Sequence, residues 1–243
     1  PISGAAPSWA DDWGRDKHGP WVTIRVPGTE IVQKMRWCPA GEFVMGADKS
    51  TDPHCLGAFE GPPTPIRFAE GFWMFDTCVT EALWLAVMGK ATRVSRGPDY
   101  PVTDVSWGDA QDFARGLNDL LPGLDTGLPS EAAWEYACRA GTSTPWSFGK
   151  RITKKQVRFD SDSPVPVGSL PANPWGFYEM HGNVWEWCED VDANSHAGAS
   201  PDGAPRAAQS SDASGVAARV LRGGDWFSDA ADVRSAYRRD FHP

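Results

Sequence analysis

Thiolate chemistry is the most demanding that this chain could carry, so its cysteines come first. There are five, Cys38, Cys55, Cys78, Cys138 and Cys188, an odd number without a CxxC pair. A disulfide scaffold would be denser, and a zinc site would show ligands in close pairs. Buried free thiols in a reducing compartment account for the pattern. The five histidines, at 18, 54, 181, 196 and 242, show neither HxxxH nor HExxH spacing, so no helix-borne metal centre is indicated. Serine and carboxylates meet in "SDAAD" (228–232), but no GxSxG elbow accompanies them. His181, within "EMHGNVWEW", is the most enzyme-like histidine, although a structural hydrogen bond across its turn explains it more simply.

Any such group needs a framework to hold it. With 41% hydrophobic residues, 13 Trp and 11 Phe, the 243 residues can bury a sizeable core, as one large domain or two small ones. Twenty-five Gly and 21 Pro favour many turns over long helices. A mean hydropathy of -0.42 and the lack of an apolar run of spanning length point to a soluble protein with no membrane partner. A net charge of -9 argues against a nucleic-acid partner, whose surface needs clustered Lys and Arg. The start, "PISGAAPSWADDWG", lacks the basic and apolar regions of a signal peptide, so a cytoplasmic location is expected.

Residues 1–20 read as a lead-in arm tied down by Trp9 and Trp13. "WVTIRV" (21–26) alternates as a strand does, and "IVQKMRWCPAGEFVMG" (31–46) reads as two strands around a Pro-Ala-Gly turn. "IRFAEGFWMFDTCV" (66–79) returns to strand. Three helices carry start signals: Thr80 before "EALWLAVMG", Ser106 with Asp109 as a capping box, and Ser130 before "EAAWEYACRAG", which Gly141 should stop. Residues 192–218 hold almost no large apolar side chain and are expected to form an exposed, mobile loop.

Four segments, "MRWCPAGEFVMG", "LPSEAAWEYACRAGT", "NPWGFYEMHGNVWEWCED" and "RVLRGGDW…RSAYR", resemble the formylglycine-generating enzyme, or sulfatase-modifying factor, family in its own order. The likeness runs from about Trp21 to the C-terminus. It implies an α+β fold of the C-type-lectin type over 21–243: one irregular domain with antiparallel sheets and few helices. Members of that family finish with a further strand containing "GFR". The chain reaches Pro243 without it, so the last strand is expected to be lacking.

Catalytic members oxidise a substrate cysteine with molecular oxygen at a copper ion held by two cysteines, and soft thiolates suit Cu(I). Those positions fall on Ser228 and Val233, so the resemblance implies no catalytic residue and no copper here. The related enzymes bind calcium at the "YEMHGNVWEW" turn. Carried over, Glu179 and Glu186 would give carboxylates and Gly182 and Val184 carbonyls, the hard oxygens of a structural calcium. No EPN or QPD sequence supports the calcium-dependent sugar binding of ordinary C-type lectins.

Between and after the frame residues lie Phe227, Ser228, Asp229, Ala230, Ala231 and Asp232, then Tyr237, Arg239, Asp240, Phe241 and His242. They follow neither helical nor strand periodicity and mix aromatic, acidic, small and basic types, which suits a contact surface for a protein or other macromolecular ligand. Such a surface resembles the variable proteins of diversity-generating retroelements. Those systems leave codons ending in C, and Lys, Glu, Gln, Met and Trp, which have none, are missing from 227–243. Two alternatives stay open: an oxidoreductase using displaced cysteines, and a sensor domain of a larger bacterial effector.

Overall fold

Alternating apolar residues lay down the first sheet, seen in a computed structural model that describes residues 7–207 and 217–242. Strands β1 (Asp12–Asp16), β2 (Gly19–Arg25), β3 (Val32–Cys38) and β6 (Phe72–Phe75) pair antiparallel in the order β1-β2-β3-β6. Between β3 and β6 the chain makes a two-stranded ribbon of β4 (Gly41–Met45) and β5 (Thr64–Phe68). The stretch expected to be a lead-in arm is therefore partly structural: β1 lies within it and pairs with β2 from Asp12 opposite Thr23 to Asp16 opposite Gly19. Trp9 packs on the core as expected, whereas Trp13 is exposed.

Val22, Ile24 and Met35 from this sheet meet Leu83 and Trp84 of α1 (Glu81–Met88) and Phe113 and Leu117 of α2 (Trp107–Leu120). Trp84 and Phe113 stack at 5.5 Å. Each helix starts where its hydroxyl cap stands: Leu83 N donates to Thr80 Oγ1, and Ser106 and Asp109 cap each other reciprocally. The third helix, α3 (Glu131–Arg139), starts at Ser130 but turns left-handed at Ala140, φ 47°, one residue before the expected Gly141.

A second core surrounds α3. Trp134, Cys138, Phe177, Met180, Cys188 and Val220 fill it, and the sheet β7 (Glu186–Val191), β8 (Arg219–Arg222), β9 (Arg238–Phe241) packs alongside. Every residue of α3 but Ala133 is buried, including Glu131, Glu135 and Arg139, so its charges must be answered inside the protein.

The 192–218 expectation needs correction over 192–207. Arg67 N donates to Pro201 O and Val191 N to Arg206 O, and His196 is buried, its N donating to Gly61 O at 2.7 Å. Backbone hydrogen bonds hold this stretch where large apolar side chains are lacking, which composition alone does not reveal. Residues 208–216 lie outside the described residues. Among the described residues no helix is long and apolar enough to cross a membrane.

Candidate functional site

The C-terminal segment is built on arginines. Arg222, at the end of β8, donates to Ser235 O, Ala236 O and Tyr237 O at 2.7–2.9 Å and pairs with Glu135. Arg234 pairs with Glu60 at 2.6 Å and Asp52 at 2.7 Å, and Arg238 with Glu131 at 2.6 Å and Asp192 at 2.8 Å. All three guanidinium groups are buried. They bolt the strand to α3 and to the loop before β5, and fix its backbone.

Between β8 and β9 the chain folds tightly. Gly224 has φ 75°, and a Cβ there would stand 2.7 Å from Val233 Cγ1 and 2.8 Å from Asp232 O, so only glycine fits the close approach. The next turn is closed by Asp225, whose Oδ1 accepts from Phe227 N, Ser228 N and Ser228 Oγ, while Ser228 Oγ accepts from Asp225 N. Neighbouring backbone brackets it: Asp160 N donates to Ser228 O and Ser161 N to Trp226 O. The ring of Phe227 is left 78% exposed at the tip.

Of the eleven residues expected to form a surface, Phe227, Asp229, Arg239, Asp240, Phe241 and His242 are exposed, and Ser228, Ala230, Ala231, Asp232 and Tyr237 are half-buried. The structure divides them between two settings. Phe227 lies in the turn whose flanking carbonyls, those of Trp226 and Ser228, accept from Ser161 N and Asp160 N. Phe241, 60% exposed, lies 6.5 Å from Trp187, while Trp185 packs Tyr237 at 6.0 Å and Arg239 at 6.0 Å.

Ser228 and Val233 stand at the two positions where the resembled enzymes carry thiols. The Ser228 hydroxyl is engaged by Asp225, and Val233 is fully buried against Trp146 and Val157. The cysteines lie elsewhere. Cys38, Cys138 and Cys188 share one buried cluster, and burial pushes each thiol up, that of Cys138 to about 12, which disfavours the reactive thiolate. Cys55 donates to Ala47 O, and burial also raises Cys55 and Cys78.

His181 serves as an internal brace. Its Nδ1 donates to Val233 O at 2.8 Å and its Nε2 accepts from Ser147 N at 3.1 Å, while burial draws it down to about 4, which keeps it neutral.

At the turn expected to hold calcium, Glu179 is buried, with one oxygen accepting from Gly168 N at 2.8 Å and the other from Leu170 N at 3.0 Å. Glu186 accepts from Trp134 Nε1 at 2.9 Å. Burial pushes both acids up, Glu186 to about 7, and the charge of Glu179 adds to the effect on Glu186. Gly182 donates to Gly223 O, and its carbonyl accepts from Val184 N. Among the described residues neither acid has an ion-pair partner, and no three His, Cys, Asp or Glu side chains are grouped to hold a metal. A cation held at this turn would need backbone carbonyls beside the two carboxylates.

The residues missed in the sequence are those that answer the arginines: Asp52, Glu60, Glu131, Glu135 and Asp192. No local signal marked them: Glu131, Glu135 and Arg139 recur every four residues, the spacing an ordinary solvated helix face also has.

The family model described as "Sulfatase-modifying factor enzyme 1-like domain" matches residues 25–243. The formylglycine-generating enzyme of Thermomonospora curvata is 30% identical over 246 residues, covering 89% of this chain and 77% of that protein. The serine/threonine-protein kinase pkn1 of Chlamydia caviae is 38% identical over 151 residues, 59% of this chain and 22% of its own. The matched region is thus about a fifth of the chlamydial relatives' length. Among solved structures, PvdO from Pseudomonas aeruginosa superposes with a TM-score of 0.77 at 26% identity, covering 96% of this chain and 93% of that one. Treponema denticola variable protein 1 gives 0.74 at 23% identity, covering 92% and 94%, a likeness of fold.

Proposed function

The chain belongs to the sulfatase-modifying factor enzyme 1-like family, with its C-type-lectin-like α+β fold, and from that premise we propose a non-catalytic recognition domain that presents residues 227–242 to a protein or other macromolecular ligand. One observation carries this reading. Buried arginines hold the backbone of the segment, while the rings of Phe227 and Phe241 are largely exposed. A stiff backbone bearing free aromatic side chains loses little entropy on binding, and aromatic rings dominate contact energies. The serine and buried valine at the family's thiol positions favour the same reading.

Within that reading we assign the chain to the variable proteins of diversity-generating retroelements. The codon-compatible composition of 227–243 supports this, as does the fold shared with the Treponema protein. A reverse-transcriptase gene and a near-copy of the final coding segment are expected beside this gene; without them the assignment falls. The partial match to pkn1 favours a second setting, a recognition module within a larger bacterial effector.

The competing oxidoreductase reading is tested directly. Incubated with copper, oxygen and a cysteine-containing sulfatase peptide, the protein is expected to form no aldehyde; robust aldehyde formation would end the recognition proposal. Phe227→Ala and Phe241→Ala are each expected to change stability by less than about 0.5 kcal/mol in urea denaturation. A loss of several kcal/mol would place those rings in the core.

We also infer a structural calcium at the Glu179 and Glu186 turn, with the carbonyls of Gly182 and Val184 completing it. A bound divalent cation would compensate two buried acids that have no basic partner. Calcium is expected to raise the melting temperature and a chelator to reverse the rise, with Glu186→Gln insensitive to both. An identical melt with calcium and with chelator would remove the site.

A further inference from the structure

Charge is unevenly spread along this chain. No acidic residue stands between Glu135 and Asp160, while Lys150, Arg151, Lys154, Lys155 and Arg158 fall close together in a chain whose net charge is -9. Local packing turns that run outward. Val157 is buried with Trp146 and Val233, Ile152 and Phe159 pack on the same cluster, and Gln156 N and Val157 N both donate to Thr153 O. The resulting turn leaves Lys150, Arg151, Lys154 and Lys155 exposed. Two of the five bases are engaged: Lys154 pairs with Asp160 at 2.8 Å, and Arg158 Nε donates to Ser163 O at 2.8 Å. Among the described residues Lys150, Arg151 and Lys155 have no ion-pair partner. This ridge adjoins the turn that carries Phe227. Asp160, held by Lys154, donates its N to Ser228 O, and Ala230 packs on the same cluster as Ile152.

Unpaired cations beside an exposed ring match a partner that offers carboxylates beside an apolar side chain. A bilayer or a nucleic-acid duplex extends well past the ridge and would bring its phosphates against a surface that is acidic elsewhere. A short acidic segment meets the ridge alone, and screening over about 8 Å at physiological salt hides the remaining charge from it. We propose that Lys150, Arg151 and Lys155 bind an acidic segment of a protein partner, one of whose apolar side chains rests on Phe227. The inference rests on the recognition reading and gives its partner a chemistry. Asp162 and Asp229 are also exposed, next to the turn itself, and direct the partner's carboxylates away from it and onto the ridge.

A random-peptide library selected on the whole chain is the probe, and recovered peptides are then titrated by fluorescence anisotropy. They are expected to be enriched in Asp and Glu around an aliphatic or aromatic residue. Single exposed pairs contribute little, so Lys150→Glu, Arg151→Glu and Lys155→Glu are combined, and the triple variant is expected to bind at least about tenfold more weakly. Phe227→Ala is expected to weaken the same peptides. Should the triple variant melt early, salt decides: raising it to about 0.5 M is expected to cost the unaltered protein a similar factor. Peptides without acidic enrichment, affinity indifferent to salt, or tighter binding of phosphatidylserine vesicles or a DNA duplex would each overturn the proposal. Peptides that need Phe227 or Phe241 but bind the triple variant unchanged would overturn it while the recognition reading stands. Peptides that need neither ring would overturn both.

Discussion

Arg234→Met is expected to destabilise the protein by about 3–5 kcal/mol, the usual cost of removing one partner from a buried ion pair. Arg234 has no exposed surface, nor has Glu60, which it grips through two nitrogens at 2.6 and 2.8 Å. It also holds Asp52 at 2.7 Å and donates through Nε to Ala231 O at 2.6 Å. Methionine keeps much of the volume but leaves two enclosed carboxylates without a counter-charge, and that desolvation makes the loss large. Urea denaturation checks the size. Pairing the change with Glu60→Gln should cost less than the sum of the two single losses, because the double variant leaves fewer stranded charges. A loss below about 1 kcal/mol would mean the segment is held by something else. The result bears on function, since the exposed rings are presented only as firmly as Arg234 and its neighbours hold the strand.

Glu131→Gln should show a comparable loss with a distinctive pH dependence. Burial opposes the charge of Glu131, but Arg238, His196 and Arg222 outweigh it and hold the carboxyl well below its ordinary value of 4.5. Arg238 reaches it through Nε at 2.6 Å and Nη2 at 3.0 Å, and His196 Nε2 lies 3.5 Å away. A folded-state pKa that is depressed contributes stability in full above the unfolded value. That contribution is lost as the pH falls below it, because the unfolded chain takes up the proton first. At pH 7 the variant is therefore expected to be less stable by about 3 kcal/mol. The gap to the unaltered protein should narrow as the pH drops below 4.5. Melting curves of both proteins between neutrality and strong acid measure this. A gap that stays constant into acid would mean that Glu131 is not charged in the folded protein.

Several features of the site were legible because they are local. Phe227 and Phe241 were expected on a surface and are exposed, and Ser228 and Val233 follow from counting along the Gly-Gly frame. The braced loop that carries Phe227 was not legible. It depends on β8 and β9 pairing Arg222 with Arg238, which pulls out the intervening residues as a loop braced by 160–161.

By itself the sequence determined where the three helices begin and which family the chain belongs to. Thr80, Ser106 and Ser130 each act within three residues of themselves, and strand alternation is read at every second position, so neither depends on distant structure. The tertiary structure alone decided which charges are inside. Arg222, Arg234 and Arg238 look like an ordinary solvated run, and their carboxylates stand as far as 182 residues away along the chain. A charge can be enclosed only where an opposite charge is brought to meet it, and that meeting is a property of the folded chain.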